Sequence, residues 1–194
     1  MNGNGIIHPT MKSEFKDKVV LVTGGCRNTG LEIVDGFLRA GARVFLCGSN
    51  EKSVADGRAA LEKRGLSGFT VLKCDVGRKE DVDAMMDRIA ADAGRLDIVV
   101  SNAANFGIGH GETQDMTEEM LFDVLNVNLG GTFRIVQGAT RRFFLKQERD
   151  SRTNQRGVVV CIGSNTSERV SRKRRTRGGA RHLVRGDRAV TVGA

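Results

Sequence analysis

The sequence predicts an α/β fold built on a doubly wound parallel sheet, truncated after its fifth strand. Two observations carry this. From Lys18 onward, short β-branched apolar runs alternate with segments of helical period. The runs are apolar at consecutive positions, as strands buried on both faces must be. Strands alternating with helices at this spacing form βαβ units, so the helices cover both faces of one sheet. Composition agrees: 39% hydrophobic residues and 25 Gly in 194 residues describe a globular α/β chain long enough for one domain with a sizeable core.

Residues 18–25, KVVLVTGG, are a β-branched run closed by glycine and read as the first strand. Residues 29–42 follow as a helix, with Leu31, Ile33, Val34, Phe37 and Leu38 at helical spacing and Gly41 at its end. RVFLCGSN (43–50) is the second strand, and 51–65 a polar amphipathic helix ending at Gly65. FTVLKCDV (69–76) is the third strand. The helix over 78–94 has Val82, Met85, Met86 and Ile89 on one face, read as core packing. LDIVVSNAA (96–104) is the fourth strand. A loop over 105–115 leads to one long helix over about 117–146, and RGVVVCIGS (156–164) is the fifth strand. The apolar period fails after Ser167. The organisation expected is therefore a flexible lead-in over 1–14, a domain over 15–167, and a basic tail over 168–194 read as disordered.

Nearly all of the formal charge of +8 resides in that tail. Residues 168–194 hold nine Lys or Arg against Glu168 and Asp187, while the preceding 167 residues hold 22 basic and 21 acidic groups. A nearly neutral body gives no reason to expect a polyanionic partner. Cys26, Cys47, Cys74 and Cys161 lack CxxC spacing and any neighbouring His cluster. They read as buried reduced thiols in a cytoplasmic protein, with no metal expected. His8, His110 and His182 are scattered and read as solvated, His110 keeping a chance of substrate contact. No stretch approaches the ~20 apolar residues of a membrane span, so no membrane partner is expected.

The stretch VTGGCRNTGLE joins the first strand to the first helix. In that setting a glycine pattern is informative, because turn amides and the helix N-terminus together favour a pyrophosphate. Gly24 allows a tight turn and Gly30 a close helix. Asn28 stands where ligand and backbone would approach most closely, and Asn tolerates left-handed backbone better than most residues.

These residues resemble the short-chain dehydrogenase/reductase family. Its TGxxxGxG motif is matched by Thr23, Gly24 and Gly30, with Asn28 in place of the middle Gly. Asp75 in CDV matches the family's adenine-holding Asp, with Val76 beside it. SNAA (101–104) is similar to its NNAG motif and brings Asn102 and Ala103. VNLGG supplies the family's Asn at Asn128, and CIGS its Ser at Ser164. The resemblance covers about residues 15–167 and implies a Rossmann-like dinucleotide-binding domain. Thr23, Gly24, Arg27, Asn28, Gly30, Asp75, Val76, Asn102 and Ala103 would bind the cofactor, and Asn128 and Ser164 would be catalytic.

The second strand ends without a carboxylate before Glu51, whereas an acid there would hold the ribose 2′-hydroxyl of NAD. Arg27 inside the turn can pair with a 2′-phosphate. NADP is therefore favoured over NAD.

The resemblance also implies a Tyr that transfers the proton and a Lys four residues later that lowers its pKa. Family spacing from Ser164 puts them near 177 and 181, where Arg177 and Arg181 stand, and the chain contains no Tyr. Arg, with a pKa above about 12, does not exchange protons at neutral pH. The Arg-rich run stands where the catalytic helix should begin; a change of reading frame or splicing near 168–172 in GC-rich coding sequence accounts for such a run. Three readings follow. The first is an NAD(P)(H)-dependent oxidoreductase for a small-molecule carbonyl or alcohol substrate, present as a fragment without its Tyr–Lys pair and inactive as written. The second is a cofactor-binding, non-catalytic protein. The third is nucleic-acid binding through the tail, which would be non-specific and is the least favoured, as the tail has no aromatic residue for base stacking. The family pairs through two long helices, of which only the first is present, so oligomerisation is expected to be impaired.

Overall fold

The computed structural model describes residues 14–105 and 117–163. Five parallel strands form one sheet in the order β3-β2-β1-β4-β5. They are β1 (Val19–Thr23), β2 (Arg43–Gly48), β3 (Phe69–Lys73), β4 (Ile98–Ser101) and β5 (Val158–Cys161). The crossovers are α1 (Asn28–Arg39), α2 (Glu51–Lys63) and α3 (Lys79–Ala93), followed by α4 (Glu118–Leu125) and α5 (Thr132–Ala139). Each strand matches the apolar run expected for it. The sheet and its flanking helices are the Rossmann-like α/β fold that the sequence predicts.

β1 lies at the centre, paired with β2 from Val19 opposite Arg43 to Thr23 opposite Cys47, and with β4 from Val20 opposite Ile98. Its side chains alternate between two cores. Val19 and Leu21 join Phe45, Met86, Ile89 and Ile135 on the face covered by α3 and α5. Val20 and Val22 join Val34, Leu38, Leu46 and Leu61 on the face covered by α1 and α2. Both faces are dry, which is why β1 reads as a continuous apolar run. Each such side chain contributes ~1.5–3 kcal/mol on burial. β3 lies at one edge of the sheet and only Val71 in it is fully buried, so its Thr70 and Lys73 are tolerated.

Helix ends follow local chemistry. α2 opens with a capping box in which Asn50 accepts from the Ser53 N–H at 2.9 Å and the Ser53 hydroxyl stands 3.4 Å from the Asn50 N–H. α1 and α2 are stapled by Arg64, which donates to Glu32 at 2.7 Å and Asp35 at 3.1 Å.

The long helix expected over 117–146 is a continuous helical run from 118 to 144, but not a uniform one. π-helical stretches at Asn126–Gly131 and Thr140–Phe144 interrupt it. One face of the run leaves Phe122, Leu129 and Phe133 more than 60% exposed. Among the described residues no helix is long and apolar enough to cross a membrane. The tail over 168–194, with Arg177, Arg181 and His182, and the N-terminal His8 lie outside the described residues.

Candidate functional site

The strand order reverses between β1 and β4, and at such a switch point the loops leaving the two strands diverge and open a crevice. The glycine turn lies there. Gly24 has φ +63°, a conformation glycine adopts without steric cost. The Gly25 N–H donates to the Cys47 carbonyl at 3.1 Å, anchoring the turn to β2. Arg27 is extended and exposed and precedes α1 as its N-cap, offering no side-chain oxygen. Asn28 takes φ +48°, the left-handed conformation expected of it. The first bond of α1 runs from the Leu31 N–H to the Arg27 carbonyl at 3.2 Å. The N–H groups of Asn28, Thr29 and Gly30 thus have no partner within the helix.

The turn has no room for side chains. A Cβ at Gly24 would stand 2.9 Å from the Ala103 Cα, and one at Gly30 would stand 2.2 Å from the Gly24 carbonyl oxygen. Gly30 therefore serves the turn itself more than the sheet. These close approaches are to the chain's own atoms, so both glycines are needed for the turn to pack; the N–H groups of Asn28, Thr29 and Gly30 at the start of α1 are what fit a dinucleotide pyrophosphate.

Thr23 and Asn102 lock the turn to β4. The Thr23 hydroxyl oxygen accepts from the N–H groups of Asn102 and Ala103, both at 3.0 Å. The Asn102 amide donates to the carbonyls of Thr23 at 2.9 Å and Gly24 at 3.2 Å. Four residues named from sequence motifs 80 positions apart thus form one hydrogen-bonded unit. Asp75 and Val76 occupy the turn after β3. Asp75 is half-buried, and one of its oxygens accepts from the Gly77 N–H at 2.9 Å.

Asn128 sits in the first π-helical stretch. Its side chain makes a reciprocal pair with the backbone of Asn105, accepting from the N–H at 2.7 Å and donating to the carbonyl at 2.9 Å. Its own carbonyl accepts from the Thr132 hydroxyl at 2.9 Å, which in turn lies 3.1 Å from the Ser101 hydroxyl. Asn128 therefore braces the chain leaving β4. Sequence reasoning missed Asn105 and Thr132; the spacing of Thr132 four residues after Asn128 was the one local signal for the latter. Ser164 and His110 lie outside the described residues.

The cysteines beneath the turn are free thiols. Burial pushes Cys26 up to about 11, and Cys74 is also raised, by its hydrogen bond with Cys47 and then by burial. The hydrogen bond that raises Cys74 lowers its partner Cys47. Among the described residues no group of three His, Cys, Asp or Glu side chains is placed to hold a metal ion. Two clefts of about 330 Å³ lie elsewhere. One is beside Lys18, Asp97 and Asp150, the other beside Val136, Phe144 and Val159. The candidate site is defined by backbone geometry rather than by cavity volume.

The family model described as short chain dehydrogenase matches residues 18–176. The chain belongs to this family. An L-fucose dehydrogenase of Bos taurus is 35% identical over 159 residues, covering 80% of this chain and 54% of that protein. The short chain dehydrogenase/reductase dpmpG of Macrophomina phaseolina (strain MS6) is 31% identical over 159 residues, covering 82% and 87%. Among solved structures, an actinorhodin polyketide ketoreductase with NADPH superposes at TM-score 0.70 with 27% identity, covering 79% of this chain and 56% of that one. A short chain dehydrogenase from Mycobacterium smegmatis superposes at TM-score 0.70 with 33% identity, covering 81% and 62%. The chain spans about half the length of the L-fucose dehydrogenases it matches. The match of this chain to the family model extends nine residues past the end expected at 167.

Proposed function

We propose that this chain is the cofactor-binding half of an NADP(H)-dependent oxidoreductase whose substrate is a small-molecule alcohol or carbonyl compound. The observation that carries the reading is the tight glycine turn at the β1/β4 switch point, braced by Thr23 and Asn102, which presents the first N–H groups of α1 without helical partners. Backbone N–H groups at the start of α1 would hold the pyrophosphate, and Asp75 with Val76 the adenine. A bound nicotinamide supplies or accepts the hydride. Asn128 would position the chain segment beside the reacting carbon through Asn105, and Ser164 would polarise the substrate oxygen. The polyketide ketoreductase with NADPH and the L-fucose dehydrogenases are consistent with this substrate class.

Preference for NADP over NAD rests on charge. Arg27 is exposed at the turn, and the first carboxylate after β2, Glu51, is paired with Lys73 at 3.2 Å. A charge-assisted contact of Arg27 with a 2′-phosphate contributes ~1.5–3 kcal/mol, roughly tenfold to a hundredfold in affinity. Fluorescence titration should therefore show NADPH binding more tightly than NADH, with Arg27→Ala narrowing the gap. Equal affinities before and after the substitution would sink the assignment. The second reading, cofactor binding without catalysis, is favoured by one fact: the 194 residues include no Tyr.

A further inference from the structure

One guanidinium gathers the turn after β3. Arg134, in α5, donates from Nη1 to the Val76 carbonyl at 3.3 Å and to the Asn126 carbonyl at 3.1 Å. Its Nη2 donates to Asn126 Oδ1 at 2.7 Å. Asn126 answers with its amide, which donates to the Gly77 carbonyl at 3.1 Å. Two successive carbonyls of the turn are thus gripped by two side chains from the helical run. The guanidinium lies across Gly130, where a Cβ would meet Nη1 at 2.9 Å. Val76 packs into the space left by Gly131, where a Cβ would stand 2.7 Å from Val76 Cγ2.

The rest of the turn is tied locally. The Asp75 N–H donates to Asp81 at 3.0 Å, and Asp75 accepts from the N–H groups of Gly77 and Arg78 at 2.9 Å each. These bonds tie the turn to Asp81 at the start of α3, and Val76 packs into the core. Arg134 and Asn126 add hydrogen bonds to the turn's carbonyls from a segment that also presents Asn128 to Asn105. Arg suits the task because its planar fork serves several acceptors at once, whereas a Lys ammonium is a point donor.

We propose that Arg134 and Asn126 are positioning residues that hold the Asp75–Gly77 turn in the shape that receives the adenine end of the dinucleotide. The proposal rests on the cofactor reading above. The test is a calorimetric titration of the full chain with NADP⁺ and with adenosine 2′,5′-bisphosphate, and an NMR shift titration with nicotinamide mononucleotide. Arg134→Met should weaken the first two alike, by about tenfold, the scale of lost charge-assisted hydrogen bonds. It should leave the mononucleotide unchanged, and Arg134→Lys should fall between. Amide exchange at Gly77 should accelerate in Arg134→Met while the urea midpoint stays close to the parent's, a pattern that general loosening of the fold would not give. If Arg134→Met does not fold, Asn126→Ala decides, with the same selective loss expected. Parental affinity for the bisphosphate in these variants overturns the clamp while leaving the cofactor reading intact. A parent chain that binds neither NADP⁺ nor the bisphosphate overturns both.

Discussion

Asn28 and Gly30 make opposite demands on substitution. Asn28 is held at φ +48°, where a left-handed backbone costs an ordinary L-residue roughly 1–2 kcal/mol. Asn28→Gly should change stability by less than about 1 kcal/mol, because relief of strain and loss of unfolded-state stiffness offset one another. Asn28→Val should destabilise by about 1–2 kcal/mol, since a β-branched residue is a true outlier there. At Gly30 the limit is space, not φ. A methyl group would fall 2.2 Å from the Gly24 carbonyl oxygen and 2.7 Å from the Asn102 amide. Gly30→Ala must therefore displace the turn, costing about 1–3 kcal/mol and weakening NADPH as well. Urea melts with and without NADPH check both. These two positions were legible in the sequence because their chemistry is local: a turn between strand and helix limits what can stand there. The Asn105–Asn128 pair was not, since it joins residues 23 apart across a loop whose path no periodicity reports.

Elements with a clear apolar period emerged where expected, and the departures have physical causes. In the run from 118 to 144, a π-helical turn shifts the hydrogen-bond register by one residue but barely disturbs which side chains face the core, so the sequence reads as one helix. The turn before β5 shows a second kind of hidden feature. Asp150 accepts from the N–H groups of Arg152 at 2.8 Å and Thr153 at 3.0 Å, and pairs with Lys18 at the start of β1. Lys18 and Asp150 are 132 residues apart, so only the sheet order brings them together. The Lys18 ammonium, and then the two N–H groups, hold the Asp150 carboxyl well below the usual carboxylate range. Its folded pKa thus lies below the unfolded value of about 3.9. The stabilisation is present above about pH 4 and is lost as the pH falls from there through the folded pKa. Asp150→Asn keeps an acceptor for the two N–H groups and removes the charge. Its urea midpoint should lie below the parent's at pH 6–7, and the two should converge as the pH is lowered from 4 towards 2.

At the scale of the molecule, the described residues carry the proposed cofactor site, and the chemistry must be judged against the residues present in the 194-residue sequence. Thr23 ends β1, Asp75 and Asn102 follow the ends of β3 and β4, and Asn128 sits in the first π-helical stretch; the proposed cofactor site draws on these and the glycine turn. Reduction of a carbonyl needs in addition a group that delivers a proton at neutral pH. The family resemblance assigns this to Tyr, which the chain lacks, and Arg177 and Arg181 stand at the spacing of the Tyr and Lys. A general acid contributes ~10²–10⁴ in rate. Losing even the lower end of that range takes a typical turnover of about 10 s⁻¹ to ~10⁻¹ s⁻¹ before any loss of substrate orientation is counted. The 194-residue chain should therefore bind NADPH yet oxidise it with ketones and quinones at no more than that rate, followed by loss of absorbance at 340 nm. Binding must be measured in the same preparation, because a chain that failed to hold the cofactor would also be silent. Turnover well above this limit that disappears in Ser164→Ala would reveal a proton donor other than Tyr, and would overturn both the second reading and the expectation that the chain is inactive as written.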